Sequence, residues 1–165
     1  MKIFLCGSNQ LSTFDRAEIQ TFLQQYADKH EIHILCYKTI ESEVLRFFVE
    51  NEQLASHLFI YTIQPLHIFT TEFQKVVSFL SEQGAYIRSF DHANEAVYRS
   101  TYVSFVKKII EDMDLILCFY NGDKHTAVIP VDTAKEIQKD AIIYDLPGTQ
   151  EIKKNKQFEE KLRMM

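Results

Sequence analysis

Short apolar runs alternate along the chain with longer segments in which apolar residues recur every three or four positions. The short runs predict buried strands, and the helical period predicts helices with one inward face. Strands are predicted at Lys2–Cys6, Ile32–Cys36, Leu58–Ile63, Ala85–Phe90, Asp114–Phe119 and Ala141–Tyr144. Helices are predicted at Phe14–Tyr26, Glu41–Val49, Thr70–Gln83, Ala93–Glu111 and Thr126–Gln138.

The fifth predicted strand indicates the kind of sheet. Its core, Leu115–Phe119, is apolar without interruption and lies between acidic residues and an Asn121-Gly122 turn. Continuous apolarity is typical of a strand buried on both faces, as in a parallel sheet covered by helices. Strands and helices that alternate form right-handed βαβ units. We therefore predict an α/β fold: a three-layer Rossmann-like sandwich with a mostly parallel sheet of about six strands.

Local signals predict where several helices begin and end. Ser12 or Thr13 is suited to cap the first helix, and Gly84 is suited to follow the end of the third. Pro130 falls in the first turn of the last helix, where its missing N–H costs little.

Length and composition indicate one globular domain. The chain has 165 residues and a hydrophobic content of 46%, which is enough for one core without a disulfide or a metal. We predict a Rossmann-like domain over residues 1–148. After that point Lys and Glu dominate, so residues 149–165 are predicted to form a charged C-terminal helix or tail.

Charge and cysteine usage restrict the partners and the compartment. The formal net charge of −5 argues against a phosphate-backbone surface, so we expect no nucleic-acid partner. Three widely spaced cysteines without a CxxC pair favour a reducing compartment. The apolar run before Gly7 is too short for a signal peptide or a membrane span, so we expect a cytoplasmic protein without a membrane partner.

Two polar loops follow the first and fifth predicted strands. In open α/β sheets, ligands bind outside the carboxyl ends of strands and beside helix N-termini. Each loop is therefore either a plain strand-to-helix turn or part of a ligand edge, with Thr126 as a helix cap. The candidate binding residues are Gly7, Ser8, Asn9, Asn121, Gly122, Lys124, His125 and Thr126.

A polar cluster near the start of the fourth helix supplies the candidate catalytic residues, Glu95 and Arg99. Arginine suits bidentate contact with an anion, whereas a glutamate there also fits an acidic first turn. No GxGxxG, Walker A or HExxH motif occurs, and the cysteines are too far apart for a zinc site. We expect neither a cofactor nor a metal, and we expect the cysteines to be structural.

These features resemble the SLOG superfamily, which includes the LOG phosphoribohydrolases and has a layout shared with nucleoside deoxyribosyltransferases. The resemblance rests on Phe4–Ser8, on Tyr98-Arg99, and on the segment from Asp112 through Asn121-Gly122 to Thr126 and Ala134. It implies that Gly7 and Ser8 contact a nucleotide-like ligand, that Arg99 contacts its phosphate or assists catalysis, and that Gly122 and Thr126 form a phosphate loop.

The chain departs from this family at one chemically important position. The enzymes carry a catalytic Glu three residues after the Thr, where this chain has Ile129. Isoleucine can neither attack nor stabilise an oxocarbenium-like centre. The phosphate loop also lacks the paired glycines and keeps only Gly122.

Three functional hypotheses remain open. The first is binding of a nucleotide or nucleotide-derived small molecule without the family's hydrolase chemistry. The second is an N-glycosidic-bond hydrolase or transferase in which Glu95 replaces the missing carboxylate. The third is a protein-interaction module, or a homodimer, that uses the aromatic segment Phe59–Phe73.

Overall fold

The structure is a computed structural model that describes residues 1–93, 96–148, 157 and 160–164. The strands are β1 (Lys2–Gly7), β2 (Glu31–Leu35), β3 (Leu58–Thr62), β4 (Tyr86–Ser89), β5 (Leu115–Tyr120) and β6 (Ala141–Asp145). The α-helices are α1 (Thr13–Tyr26), α2 (Glu41–Glu50), α3 (Thr71–Glu82), α4 (Arg99–Ile110) and α5 (Ile129–Glu136). Short 3-10 turns span Glu52–His57, Leu66–Ile68 and His125–Val128.

The six strands form one sheet in the order β4-β3-β2-β1-β5-β6, and all five pairings are parallel. The predicted α/β, three-layer Rossmann-like sandwich is confirmed. The chain runs outward from β1 to β4 and then returns to place β5 on the other side of β1. The carboxyl ends of β1 and β5 therefore form the topological switch point, where ligands of open α/β sheets bind.

Each face of the sheet has its own core. We name the two faces after the helices that cover them, the α1–α3 face and the α4–α5 face. Because strand side chains alternate, Ile3 and Leu5 of β1 pack against the α1–α3 face, while Phe4 and Cys6 pack against the α4–α5 face. No helix within the described ranges is long and apolar enough to cross a bilayer.

The described helices leave part of each sheet face exposed. On the α1–α3 face, Ile142 and Tyr144 of β6 are 52% and 41% exposed. On the α4–α5 face, Tyr86 of β4 is 50% exposed. Parallel sheets are normally covered on both faces, so these areas are unusual surfaces of the fold.

The fourth helix begins later than predicted. It starts at Arg99 rather than at Ala93, because Tyr98 has an extended backbone (φ −79°, ψ 162°) and Asp91 has a positive φ of 49°. Val97 therefore precedes the helix, although it still packs against the α4–α5 core. Glu95, together with Asn94, lies outside the described residues.

The helix ends agree better with the sequence. Ser12 caps α1 in a reciprocal capping box with Asp15, and Gly84, with a φ of +112°, follows the last residue of α3 and its cap. Pro130 lies in the first turn of α5, as predicted. Phe14, the first residue of the predicted helix, is 75% exposed, because the capping box turns Asp15 inward instead.

Most of the predicted C-terminal helix or tail, residues 149–165, lies outside the described residues. The described part, residue 157 and residues 160–164, is helical and exposed. The division of the chain after residue 148 remains a prediction.

Candidate functional site

The β1 loop is held against β5 by its own backbone. Gly7 has a φ of +154°, and a Cβ there would lie 2.3 Å from the carbonyl oxygen of Phe119. The buried Ser8 donates its backbone N–H to the same oxygen over 2.9 Å, and its Oγ accepts from the backbone N–H of Asn121 over 3.0 Å. Both residues therefore join β1 to β5, which gives them a structural role at the predicted ligand edge.

An internal carboxylate occupies the amide donors of this loop. Oδ2 of Asp123 accepts from the backbone N–H groups of Asn9 and Gln10 over 3.1 and 3.2 Å. Its Oδ1 accepts from the backbone N–H of Lys124 over 2.7 Å. Consecutive backbone N–H groups commonly bind phosphate. Here Asp123 takes the place that an external anion would otherwise occupy.

A second carboxylate lies beneath the first. Asp15 is fully buried and accepts from the backbone N–H of Ser12 (3.1 Å), the side-chain amide of Asn121 (2.9 Å) and the backbone N–H of Gly148 (2.7 Å). The same Asn121 amide also donates to the carbonyl of Gln10 over 2.7 Å. The set of Ser8, Asn9, Asp15, Asn121 and Asp123 is called the β1–β5 junction below.

The other predicted residues converge on a separate space. Arg99, His125 and Thr126 line a cavity of about 200 Å³, which we call the Arg99 cavity. Tyr37, Tyr102 and Ile129 complete its wall. The structure thus brings together one residue that begins α4 and two that follow β5, although about 26 positions separate them in the chain.

The hydrogen-bond donors in the Arg99 cavity have fewer acceptors among the described residues than those of the junction. Arg99 is exposed, and no carboxylate within the described ranges forms an ion pair with it. Tyr98, the N-cap of α4, provides no side-chain hydrogen bond to the first turn. His125 lies 3.4 Å from Asp132, and both side chains are more than half exposed. The cavity therefore combines the Arg99 guanidinium with a helix N-terminus, an arrangement that favours an anion.

Thr126 does not cap the last helix, so this prediction was wrong. It lies inside the His125–Val128 turn, and α5 begins after it at Ile129. Its side chain makes no hydrogen bond within the described residues. Gly122 has a φ of +87° and no atom within 4 Å of an added Cβ, so its turn requires glycine for conformation rather than for space. Lys124 is exposed and outside the cavity wall.

Tyrosine rings form the floor of the cavity. The ring centroids of Tyr37 and Tyr102 lie 4.9 Å apart, and the Tyr37 hydroxyl donates to the carbonyl of Val97 over 3.3 Å. Burial raises the pKa of Tyr102 well above its usual value, so its ring remains neutral. Tyr37 was missed by the sequence analysis, although it follows β2 at the same edge of the sheet.

A larger cavity of about 430 Å³ adjoins the first and shares Tyr37 with it. It lies beyond the ends of β2 and β3, and its walls include Ile63, Phe69 and Phe73. Glu41 also lines it, and its carboxylate accepts from the N–H and hydroxyl of Thr39 over 2.7 and 2.9 Å. Burial raises the pKa of Glu41. Glu41 was also missed, because its position at the start of a helix resembles an ordinary acidic first turn.

The catalytic assignments are only partly described. Glu95 lies outside the described residues, so its catalytic role remains a prediction. Ile129, at the position of the catalytic Glu in the family that the chain resembles, is buried and lines the Arg99 cavity. Within the described ranges, no cluster of three or more His, Cys, Asp or Glu side chains could hold a metal ion.

The cysteines and the aromatic segment contribute mainly to the cores. Cys6, Cys36 and Cys118 are free and buried, and burial raises the pKa of the Cys6 and Cys36 thiols well above the usual value. A buried protonated thiol is a poor nucleophile and metal ligand. In the segment Phe59–Phe73, Tyr61 is buried whereas Ile68 is 50% exposed. The protein-interaction role of this segment stays a prediction.

Comparison of the sequence with protein-family models and with curated proteins gives no match. Comparison of the structure finds a similar chain, DNA processing protein A from Helicobacter pylori, which has been described in a single-stranded DNA binding mode. The likeness has a TM-score of 0.63 at 13% identity and covers 95% of this chain and 73% of that chain.

This comparison overturns one expectation. The net charge of −5 was taken to exclude a nucleic-acid partner, but a protein of the same fold binds single-stranded DNA. Overall charge does not exclude a local binding surface, so the expected absence of a nucleic-acid partner was wrong. At 13% identity, the comparison assigns this chain the Rossmann-like fold and no narrower family.

Proposed function

We propose that the chain binds a nucleotide-derived ligand at the switch point, with the ligand's phosphate in the Arg99 cavity. One observation carries the proposal: Arg99, His125 and Thr126 converge on one cavity at the carboxyl edge of the sheet. Guanidinium, imidazole and hydroxyl groups are donors that suit phosphate oxygens. The proposal makes the chain a SLOG-like binding protein.

The phosphate belongs in the Arg99 cavity rather than at the β1–β5 junction. Asp123 already accepts from the loop amides at the junction, and a phosphate there would meet a like charge. In the cavity, by contrast, Arg99 has no anionic partner within the described residues. The β1 loop therefore supports the site, and the α4 and β5 segments supply its donors.

The size of the two adjoining cavities supports a nucleotide-sized ligand. About 200 Å³ suits a phosphate or a ribose phosphate, but whole ligands of this class need about 300–1,000 Å³. The adjoining space of about 430 Å³ has apolar walls, including Phe69 and Phe73, that suit a base. Tyr37 lies between the two and would contact the sugar.

The proposed function does not include the hydrolase chemistry of the related family. That chemistry needs a carboxylate near the anomeric carbon, and Ile129 lines the cavity where the family carries it. Under this proposal, the ligand is bound and released unchanged.

A second candidate function rests on Glu41. Its carboxyl lines the larger cavity and its pKa is raised, as expected for a group that donates a proton to a departing base. Under this alternative the chain breaks an N-glycosidic bond: the base leaves with the proton from Glu41, and water or a second base takes the glycosyl group. Base release from nucleoside monophosphates that is lost in Glu41→Gln would support it, and no release by the unmodified chain would exclude it for these substrates.

Thermal shift measurements test the binding proposal. The panel contains NAD, ADP-ribose, cyclic nucleotides and nucleoside monophosphates. We expect at least one ligand to raise the melting temperature of the unmodified chain and of Arg163→Gln, a control at an exposed arginine in the described C-terminal helix. We expect Arg99→Gln to reduce that shift. The absence of any shift at millimolar ligand would contradict the proposal.

A further inference from the structure

A row of aromatic rings on the α4–α5 face runs from the buried His33 to the half-exposed Tyr86. His33, Phe59 and Tyr86 lie directly opposite one another on β2, β3 and β4. The His33 and Phe59 rings are stacked with centroids 4.3 Å apart, and the Phe59 and Tyr86 centroids are 5.5 Å apart. These three residues are called the aromatic ladder. Of the three, His33 is buried at 3% exposure and stacks on Phe59, whereas Tyr86 is 50% exposed at the sheet edge.

A second row extends the ladder toward the carboxyl end of the sheet. Tyr61 lies opposite Arg88, and the ring of Phe90 stacks near Tyr61 at 6.3 Å between centroids. The Arg88 guanidinium carbon lies 4.8 Å from the centre of the Phe90 ring. The Arg88 guanidinium is thus held beside the aromatic rings, where the phosphate next to a stacked base would lie.

Hydrogen bonds fix the inner part of this surface. Nδ1 of His33 lies 2.9 Å from the Tyr61 hydroxyl, and Nε2 lies 3.1 Å from Oε1 of Glu31. Burial lowers the pKa of His33, so its ring is neutral near pH 7. The inner rings are held in place by these bonds, while Tyr86 at the sheet edge is half exposed.

The ladder forms the floor of a groove of about 440 Å³ that is distinct from the Arg99 cavity. Lys108 and Ile109 of α4 form one wall, and no described helix covers the other side over β4. The groove shares no lining residue with the cavity among the described residues. It is therefore a second surface, built on the sheet face rather than on its edge.

The charges around the groove are arranged unevenly. The described residues provide no ion pair for three cations that line it, Lys2, Arg88 and Lys108. The carboxylates of Glu111 and Asp112 line its amino end, and Glu31 is bound to His33. Phosphates are therefore attracted to the Arg88 end and repelled from the Asp112 end.

We propose that the groove binds single-stranded nucleic acid by stacking a base on Tyr86, the exposed end of the aromatic ladder, with the adjoining phosphate beside Arg88. An exposed ring beside a cation suits unpaired bases, which expose their flat faces to side chains. A duplex keeps those faces covered, so it should bind more weakly. This site goes beyond the proposed ligand cavity, because it uses different residues and a different part of the ligand.

Fluorescence anisotropy with a labelled oligothymidylate tests the proposal on the full chain. We expect Tyr86→Ala to weaken binding by about 5- to 150-fold, the loss typical of one stacked base. Tyr86 is half exposed, so the variant should fold, and an unchanged melting temperature checks this. Tyr26→Ala, at a 41% exposed tyrosine on the opposite face, is the matched control and should bind like the unmodified chain.

Salt dependence gives a second, independent measurement. Removing one phosphate contact with Arg88→Gln should lower the slope of log K against log salt by about 0.7 for a single strand. A surface that merely packs Arg88 against Phe90 would show no change in slope. Unchanged affinity in Tyr86→Ala together with an unchanged slope in Arg88→Gln would overturn the proposal, as would the absence of binding by the unmodified chain.

Arg99→Gln distinguishes this site from the proposed ligand cavity. We expect it to leave oligothymidylate binding unchanged while it reduces mononucleotide binding. If Arg99→Gln removes oligothymidylate binding and Tyr86→Ala does not, the oligothymidylate binds in the Arg99 cavity, and the proposal for the ladder is wrong. If only the mononucleotide experiment fails, the proposal for the Arg99 cavity is wrong and the ladder remains supported.

Discussion

The β1–β5 junction and the Arg99 cavity lie at the same edge of the sheet, yet their polar groups are used in opposite ways. At the junction, Asp15 and Asp123 accept from the backbone and amide groups around them. In the cavity, the side chains of Arg99 and Thr126 have no ion pair or hydrogen bond to another described residue. The position of a loop at this edge of the sheet therefore does not by itself leave its donors available to a ligand, because an internal carboxylate can accept from them.

This difference explains why residues that resemble a ligand loop of the SLOG superfamily have a structural role in this chain. Gly7 and Ser8 match a family ligand loop, but here they join β1 to β5. Asp123 supplies the negative charge that a phosphate would supply. Under the proposed function, the ligand binds in the Arg99 cavity, where the Arg99 guanidinium has no anionic partner among the described residues.

The largest effect should come from the buried carboxylate of the junction. Asp15→Ala leaves the donors of Ser12, Asn121 and Gly148 without their acceptor, and we expect a loss of about 3–5 kcal/mol in the free energy of unfolding. Urea denaturation measures it. Asp132→Ala, at an exposed carboxylate, should change stability by less than about 0.5 kcal/mol. A similarly small loss in Asp15→Ala would show that the junction is not a tightly satisfied network.

The close approach of β1 to β5 should give the next largest effect. Gly7→Ala places a Cβ against the Phe119 carbonyl at an unfavourable φ, and we expect a loss of about 2–3 kcal/mol. Gly122→Ala, where the structure leaves space, should lose only about 1 kcal/mol from its positive φ. Equal losses in the two variants, measured by thermal denaturation, would contradict the assigned role of Gly7.

Replacing Asp123 should make the junction resemble the cavity. Asp123→Ala frees the amides of Asn9 and Gln10, and we expect a loss of about 1 kcal/mol in stability. Inorganic phosphate should restore part of that loss by binding the freed amides. Melting temperatures in phosphate and in chloride at equal ionic strength measure this. If phosphate stabilises the variant no more than the unmodified chain, Asp123 does not occupy an anion site.

The smallest effect should fall on ligand affinity alone. Thr126→Val removes a hydroxyl that lines the cavity, so we expect a loss of about 3- to 10-fold in the affinity for AMP and a change in stability below about 0.5 kcal/mol. Thr133→Val should do the reverse, because its buried hydroxyl donates to the Ile129 carbonyl over 2.9 Å. Calorimetric titration together with thermal denaturation separates the two. A loss of stability in Thr126→Val without a loss of affinity would remove this hydroxyl from the site.

Local patterns predicted most of the elements. The continuous run Leu115–Phe119 indicated a parallel sheet because both of its faces had to be buried, and Ser12 and Gly84 marked helix ends through capping chemistry. The start of α4 was misplaced because Val97 fits a helical period although Tyr98 has an extended backbone. Periodicity reports which residues are inward, but it does not report backbone angles.

The hydrogen bonds of the β1–β5 junction could not be predicted, because they join residues that are far apart in the chain. Ser8 and Asn121 are 113 positions apart, and their hydrogen bond follows from the β1–β5 pairing that the sequence does not reveal. Asp123 looked like an ordinary loop residue for the same reason. Tyr37 could have been predicted as a site residue, because it follows a predicted strand. Ligands bind outside the carboxyl ends of strands, which applies to Tyr37 as it does to the β1 and β5 loops.

Calorimetric titration of AMP and ADP-ribose into the unmodified chain, Arg99→Gln and Asp123→Asn tests the central claim most directly. We predict that the unmodified chain and Asp123→Asn bind at least one of them, and that Arg99→Gln binds it about 10- to 150-fold more weakly, the loss typical of a charged hydrogen bond. Unchanged affinity in Arg99→Gln, or no binding of either compound at millimolar concentration by the unmodified chain, would contradict the account.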